Sequence, residues 1–289
     1  MSVLILTSQD DVTADMVVDQ LTKKNRRVHR VALDDDLVIS GAPGSVTIKD
    51  AYRTTVNPRS VYWRRPGPVN SEQGKALVGL LRALPELVWV NHPDANERAR
   101  DKPSQLVVAK ECGFAVPDTL ISNDPEEIRL FGLNHSDPVR KPLHQGDVFI
   151  PLGNGMIHQQ KIQKKADIRL TVVGGSLFPC RITSALLDWR GDDDAKYEPV
   201  AAPREIVKSV YAFMERYDLY YAAFDFAVSQ PGLWYFLECN PNGQFGWLER
   251  KTGLSISLAL ADLLAEEPGL LQDLREPGGG HRRSSGQER

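Results

Sequence analysis

Residues 224–245 read FDFAVSQPGLWYFLECNPNGQF, and this stretch decides the fold. Two apolar runs, 224–228 and 233–237, flank a Ser-Gln-Pro-Gly turn signal, the pattern of an antiparallel hairpin. A turn centred on Pro231 and Gly232, or a longer loop with the same centre, sets Asp225 directly across from Glu238. Side chains two apart in a strand share a face, so Asn240 joins Glu238 and three oxygen-bearing groups converge. Like charges facing each other on a sheet repel, and apolar neighbours worsen this by thinning the water. A divalent cation removes the repulsion. Magnesium takes a few carboxylate and amide oxygens and leaves its other positions to water and phosphates. The competing reading is a half-exposed hairpin whose acids face water. The turn cluster Pro241, Asn242, Gly243, Gln244 favours the metal, because it bends the chain away directly after the third oxygen.

The rest of the chain gives this hairpin a large setting. Its 289 residues have room for two or three packed subdomains, and 42% hydrophobic with 25% charged residues is an ordinary globular composition. A net charge of −3 gives no long-range attraction to nucleic acid. Cys112, Cys180 and Cys239 are scattered, without a C-x-x-C pair, which predicts buried thiols in a reducing compartment. With neither a membrane-length apolar run nor a signal-peptide layout, the expected location is the cytoplasm, with no membrane partner.

Residues 2–65 read as an α/β lobe: a strand at 3–6, helical spacing over 12–21 and a strand at 28–33, the order of a parallel sheet. The acidic triplet 34–36 reads as a solvated turn. Arg64 and Arg65 end the aromatic strand VYWRRP on opposite faces. Each is either a surface charge or a planar fork for an anion or a substrate carboxylate. A helix is expected over 71–84 and a strand over 87–90. Asn91, His92, Pro93 and Asp94 read as a turn closing the lobe, with His92 a turn residue. A helix over 103–112 starts on Pro103. Lys102 and Lys141, each beside a proline, read singly as surface lysines. A basic strand at 139–143 leads into the loop at 144–147, and a further strand spans 158–162. A second hairpin, 167–182, brings Arg169 and Arg181 across from each other within one residue of register, as a pair for an anion or neutralised by a nearby acid such as Asp167. Residues 191–196 read as a mobile loop, 203–217 and 256–264 as helices, and the tail from 277 as disordered.

Taken together these residues resemble the ATP-grasp enzymes. Asp225, with Glu238 thirteen residues on and Asn240 in E-C-N-P-N, is similar to their magnesium motif, and the Lys102 and Lys141 segments to their two lysine segments. More narrowly, V-Y-W-R-R-P, D-I-R-L-T-V-V-G-G, D-W-R and F-L-E-C-N-P-N-G-Q-F-G-W-L-E resemble the ATP-grasp peptide maturases, the graspetide or microviridin-type macrocyclases, over about residues 2–265. The resemblance implies an α/β chain with an ATP-grasp fold: an N-terminal α/β (pre-ATP-grasp) domain at 1–93, a central lobe at 94–158, a C-terminal lobe at 159–272 and a disordered tail at 273–289.

It implies ATP and Mg2+ as cofactors, with Lys102, Lys141, Gln159, Lys161 and Ile162 at the nucleotide and Asp225, Glu238 and Asn240 on the metal. Arg169, Arg181, Asp188 and Arg190 would face the reacting peptide, and Arg64 and Arg65 are the candidates for holding substrate. The implied partner is a ribosomally made precursor peptide with leader and core. Its Asp or Glu side chains would be phosphorylated and joined to Ser or Thr as esters or to Lys as amides. A homodimer is compatible with this. Two departures stand out: Gln160 where many relatives carry an acid, and a single glycine in the loop at 144–147. The alternatives are a carboxylate–amine ligase that adds an amino acid to a peptide or small acid, and a non-catalytic nucleotide- or peptide-binding protein.

Overall fold

The structure is a computed structural model that describes residues 2–33, 37–67, 69–143 and 156–266. The acidic triplet 34–36, the loop 144–147 and the tail from 273 lie outside the described residues.

The N-terminal portion comprises β1 (Ser2–Thr7), α1 (Val12–Lys23), β2 (Arg27–Val31), β3 (Val38–Ala42), β4 (Ser45–Lys49), β5 (Thr54–Val56), β6 (Ser60–Arg65), α2 (Glu72–Arg82) and β7 (Val88–Val90). Its four-stranded sheet runs β2-β1-β6-β7, parallel throughout, as the buried apolar strands separated by helices predict. A small antiparallel sheet, β3-β4-β5, is a feature that the sequence reading does not contain. Next come α3 (Pro93–Arg100) and α4 (Lys102–Glu111). The expected turn at 91–94 is therefore the start of a helix: His92 is the N-cap, its Nδ1 accepting from the Asp94 N–H at 3.2 Å, and Pro93 fills the first turn. Asp101 caps α4 in the same way, accepting from the Ser104 N–H at 2.7 Å.

The central portion holds β8 (Thr119–Ile121), α5 (Pro125–Asn134), β9 (Val139–Lys141) and β10 (Ile157–Gln159), with β10 between β8 and β9. The C-terminal portion follows with β11 (Lys164–Val173), β12 (Ser176–Thr183), β13 (Lys196–Pro199), α6 (Arg204–Tyr217), β14 (Tyr221–Ser229), β15 (Trp234–Asn240), α7 (Gly246–Thr252) and α8 (Ile256–Ala265). Its antiparallel sheet runs β13-β12-β11-β14-β15, leaving β15 at one edge. One face, carrying Ile168, Leu170, Phe224, Phe226 and Phe236, packs on the stripe Ile206, Val210, Phe213 and Met214 of α6. On the other face, Val173, Ile182 and Tyr221 share a core with Val3, Ile5 and Tyr62 of the N-terminal sheet and with α8. Among the described residues no helix is long and apolar enough to cross a membrane.

Candidate active site

The hairpin β14–β15 places Asp225 opposite Glu238 and Ala223 opposite Asn240. The route differs from a simple turn count. Near the turn Val228 faces Trp234 and Phe226 faces Phe236, one residue out of step with the Asp225–Glu238 pair. The Ser229 N–H bonds the Leu233 carbonyl at 2.9 Å, and Gly232 sits at φ 98°, so the loop is one residue longer than a two-residue turn. A bulge at Leu237 takes up the difference and returns Glu238 to the face of Asp225. Without that bulge Glu238 would face Phe224 in the phenylalanine core.

On β11, Arg169 lies across from Asp225, so Arg169, Asp225 and Glu238 form a row across three strands. Arg169 Nη1 donates to both Asp225 oxygens at 2.9 Å. Asp225 is 7% exposed, and burial, with the Glu238 charge beside it, raises its pKa against the pull of Arg169. A 3-10 turn, Trp189–Gly191, brings in a second guanidinium: Arg190 Nη2 is 3.3 Å from Asp225 Oδ2 and 3.6 Å from Glu238 Oε1. Asp188 caps this turn and holds Arg190 Nη1 at 3.3 Å from both its oxygens. Asn240 Oδ1 accepts the Asn242 N–H at 2.9 Å, which leaves it a second lone pair. Two carboxylates and one amide oxygen on adjacent strands suit magnesium, which uses few protein ligands and takes the rest from phosphate and water. The cations drawn to both carboxylates show that the pair, as folded, calls for positive charge.

Lys102 opens α4 with its Nζ on the Pro142 carbonyl at 2.8 Å and 4.0 Å from Glu238 Oε2. Lys141 Nζ bonds Gln159 Oε1 at 2.7 Å, and Gln159 Nε2 bonds Thr119 Oγ1 at 3.0 Å, a chain across the central sheet. Burial lowers the pKa of both lysines, with Glu238 opposing. Lys102, Lys141, Gln159, Leu237 and Glu238 line one cleft between the central and C-terminal portions. Ile162 lies half-buried between β10 and β11.

Three expected site residues stand elsewhere. Arg181 pairs with Ile168 rather than Arg169, and a one-residue offset reverses the face, so Arg181 leaves the site and pairs with Glu198 at 3.3 Å. Lys161 directs its ammonium to Asp137 at 2.6 Å on the surface. Arg64 is 0% exposed and its partners are internal: its Nε faces Asp11 Oδ2 at 3.1 Å, and its Nη1 donates to the carbonyls of Asn242 and Gly243. Arg65 ends β6 half-buried where the β1–β6 register shifts, which sets it beside Thr7 with its charge acting on Tyr62 and Tyr221.

Arg64 thus brackets the loop that follows Asn240, and two asparagines complete the grip. Asn91 Nδ2 bonds the Pro241 carbonyl at 3.1 Å, and Asn96 Nδ2 bonds Asn242 Oδ1 at 3.2 Å. Sequence reasoning missed Asn91, Asn96 and Gln105, since single amides carry no spacing signal. Removing Arg64 as Arg64→Met strands the Asp11 carboxylate, and unfolding measurements are expected to show a loss of about 3–5 kcal/mol. Burial opposes the Asp11 charge, but Arg64 and the Thr7, Ala14 and Thr13 hydrogen bonds lower its pKa below 3.8. Its contribution to stability is therefore complete above that value and is lost as pH falls through the lower folded value. Asp11→Asn is expected to be destabilised at neutral pH, with the gap to the unaltered protein closing in acid.

Gly243 lies against the row. A Cβ there would sit 2.5 Å from Ala223 Cβ and 2.7 Å from Arg169 Nη2. Gly243→Ala is expected to cost about 1–3 kcal/mol by overpacking and to turn Arg169 off Asp225, read as a lower melting temperature and lost activity.

No family model and no curated protein matches the chain. Solved structures do. The macrocyclase MdnC of Microcystis aeruginosa MRC, bound with precursor peptide MdnA, superposes with TM-score 0.79 at 26% identity, covering 92% of this chain and 100% of that one. A RiPP-associated ATP-grasp ligase of Chryseobacterium gregarium, in complex with ADP and a leader and core peptide, gives TM-score 0.80 at 27% identity over 91% of this chain and 96% of that one. The macrocyclase MdnB of Microcystis aeruginosa MRC gives 0.74 at 26%, over 92% and 99%.

Proposed function

We propose that this chain, an ATP-grasp enzyme of the graspetide peptide-maturase type, uses ATP to join side chains of a ribosomally made precursor peptide into rings, acting in the cytoplasm. The observation that carries the reading is the row Arg169, Asp225, Glu238, whose last member lines one cleft with Lys102 and Lys141. Asp225, Glu238 and Asn240 would hold magnesium, which when bound draws charge from the phosphates and orients them. Lys102 and Lys141 neutralise the phosphates. Gln159 and Ile162, with the backbone of Lys161, border the adenine.

An Asp or Glu carboxylate of the peptide attacks the γ-phosphorus in line, and ADP leaves. The acyl phosphate that results is attacked at its carbonyl carbon by a Ser or Thr hydroxyl or a Lys amine. Phosphate departs with one former carboxylate oxygen, and the nucleophile gives up its proton. The peptide thereby loses the elements of one water per ring. Arg190, half-exposed on a short turn and steadied by Asp188, would meet the departing negative charge, and Arg169, bonded to both Asp225 oxygens, would hold that carboxylate in position. Closure of the cleft keeps water from the acyl phosphate.

The test is the purified chain with ATP, magnesium and the short peptide encoded beside it. Products lighter by whole waters are expected. A mass gain would instead indicate addition of an amino acid, and an unchanged mass with ATP consumed would contradict ring closure.

A further inference from the structure

The geometry points to Gln105 as a positioning residue for the metal ligands, an inference that rests on the ATP-grasp reading of the site. Gln105 lies on α4 three residues after Lys102, on the same helix face, with 2% of its surface exposed. Its Nε2 donates to the Cys239 carbonyl at 2.8 Å, and its Oε1 accepts the Cys239 N–H at 2.8 Å. A further bond from Nε2 reaches the Ala99 carbonyl. Cys239 is the residue between Glu238 and Asn240, and it lies on an edge strand. The side-chain amide thus acts as a one-residue neighbouring strand, satisfying both outward groups of the peptide that links the two ligands.

The bulge explains why an anchor is needed at this point. At its other end β15 is tied by the Phe236 N–H to the Ala115 carbonyl at 2.8 Å. Leu237, the bulged residue, separates the two anchors, and a bulge is where register is most easily lost. A slip that removed it would set Leu237 opposite Asp225 and turn Glu238 to the phenylalanine face. Gln105 holds the bulged register, and because it shares a helix turn with Lys102 it also fixes the 4.0 Å approach of that ammonium to Glu238. Ionised glutamate matches its length but cannot donate, and methionine cannot donate and accepts only weakly.

The test uses the full chain with Mn2+ as the metal probe and ADP as nucleotide, titrated by electron paramagnetic resonance, alongside magnesium-dependent turnover and melting curves. Gln105→Met is expected to weaken metal binding by about 10–100-fold and to raise the KM for magnesium in step, with turnover recovering at high magnesium. Gln105→Glu keeps the acceptor for the Cys239 N–H, so it retains one anchoring bond if the methionine variant fails to fold. It is expected to shift in the same direction. Unchanged manganese affinity in a folded variant, or turnover that falls with the magnesium KM unmoved, would overturn the role of Gln105. A wild-type chain that bound no manganese with ADP would instead overturn the reading of the site itself.

Discussion

Asp225→Asn protein is expected to lose magnesium-dependent turnover by ~10³-fold or more, since the metal's charge stabilisation of phosphoryl transfer is worth several kcal/mol. Two effects add here. The substitution removes one of the two carboxylates facing each other across β14 and β15, and it takes away one of the two Asp225 oxygens that accept from the buried Arg169 guanidinium. Glu238→Gln should match it in activity but not in stability. Glu238 is more open to solvent than Asp225, with 19% against 10% of its side chain exposed, and its cationic neighbours stand 3.6–4.0 Å away. Truncation to Asp225→Ala strands a buried cation, for which about 3–5 kcal/mol of lost stability is expected. Manganese titration and urea unfolding of the variants separate the two contributions. Full turnover in Asp225→Asn would remove the metal from the hairpin.

Arg190→Met should produce opposite changes in two readouts. Turnover is expected to fall by about 10²–10³-fold, the usual consequence of losing one well-placed donor to developing negative charge. Metal affinity is expected to rise. One guanidinium nitrogen reaches toward both Asp225 and Glu238, so a metal entering between them must displace a tethered cation. The fold should be unaffected, because more than half of the Arg190 side chain is exposed. Equal metal affinity in variant and wild type would mean that Arg190 stands clear of the carboxylates in solution.

The parts of this site that were legible in the sequence are those set by local periodicity. Alternation along 233–240 puts Glu238 and Asn240 on one face, and the turn residues put Asp225 opposite. The bulge at Leu237 leaves no local mark, since it depends on the loop length at one end and on Gln105 at the other. Arg181 shows how little margin a register estimate has: one residue of offset moved it from the carboxylate row to Glu198. Arg64 and Arg65 look alike in sequence. What buries the first is a set of partners at Asp11, Asn242 and Gly243, up to 179 residues distant, so adjacency alone could not tell a substrate-holding fork from an internal bracket. Lys102 and Lys141 each resemble surface lysines until the fold brings both beside Glu238. The short hairpin sheet β3-β4-β5 and the His92 cap escaped because strands of three to five residues and a histidine N-cap carry weak pattern signals.

Phosphorylation of a peptide side-chain carboxylate by ATP at the carboxylate row would move one carboxylate oxygen into phosphate. It is tested most directly with a precursor peptide whose Asp and Glu carboxylates carry oxygen-18, treated with the purified chain, ATP and magnesium. One labelled oxygen is expected in the inorganic phosphate for every water lost from the peptide. Ring closure with the label in AMP, or with unlabelled phosphate, would contradict it.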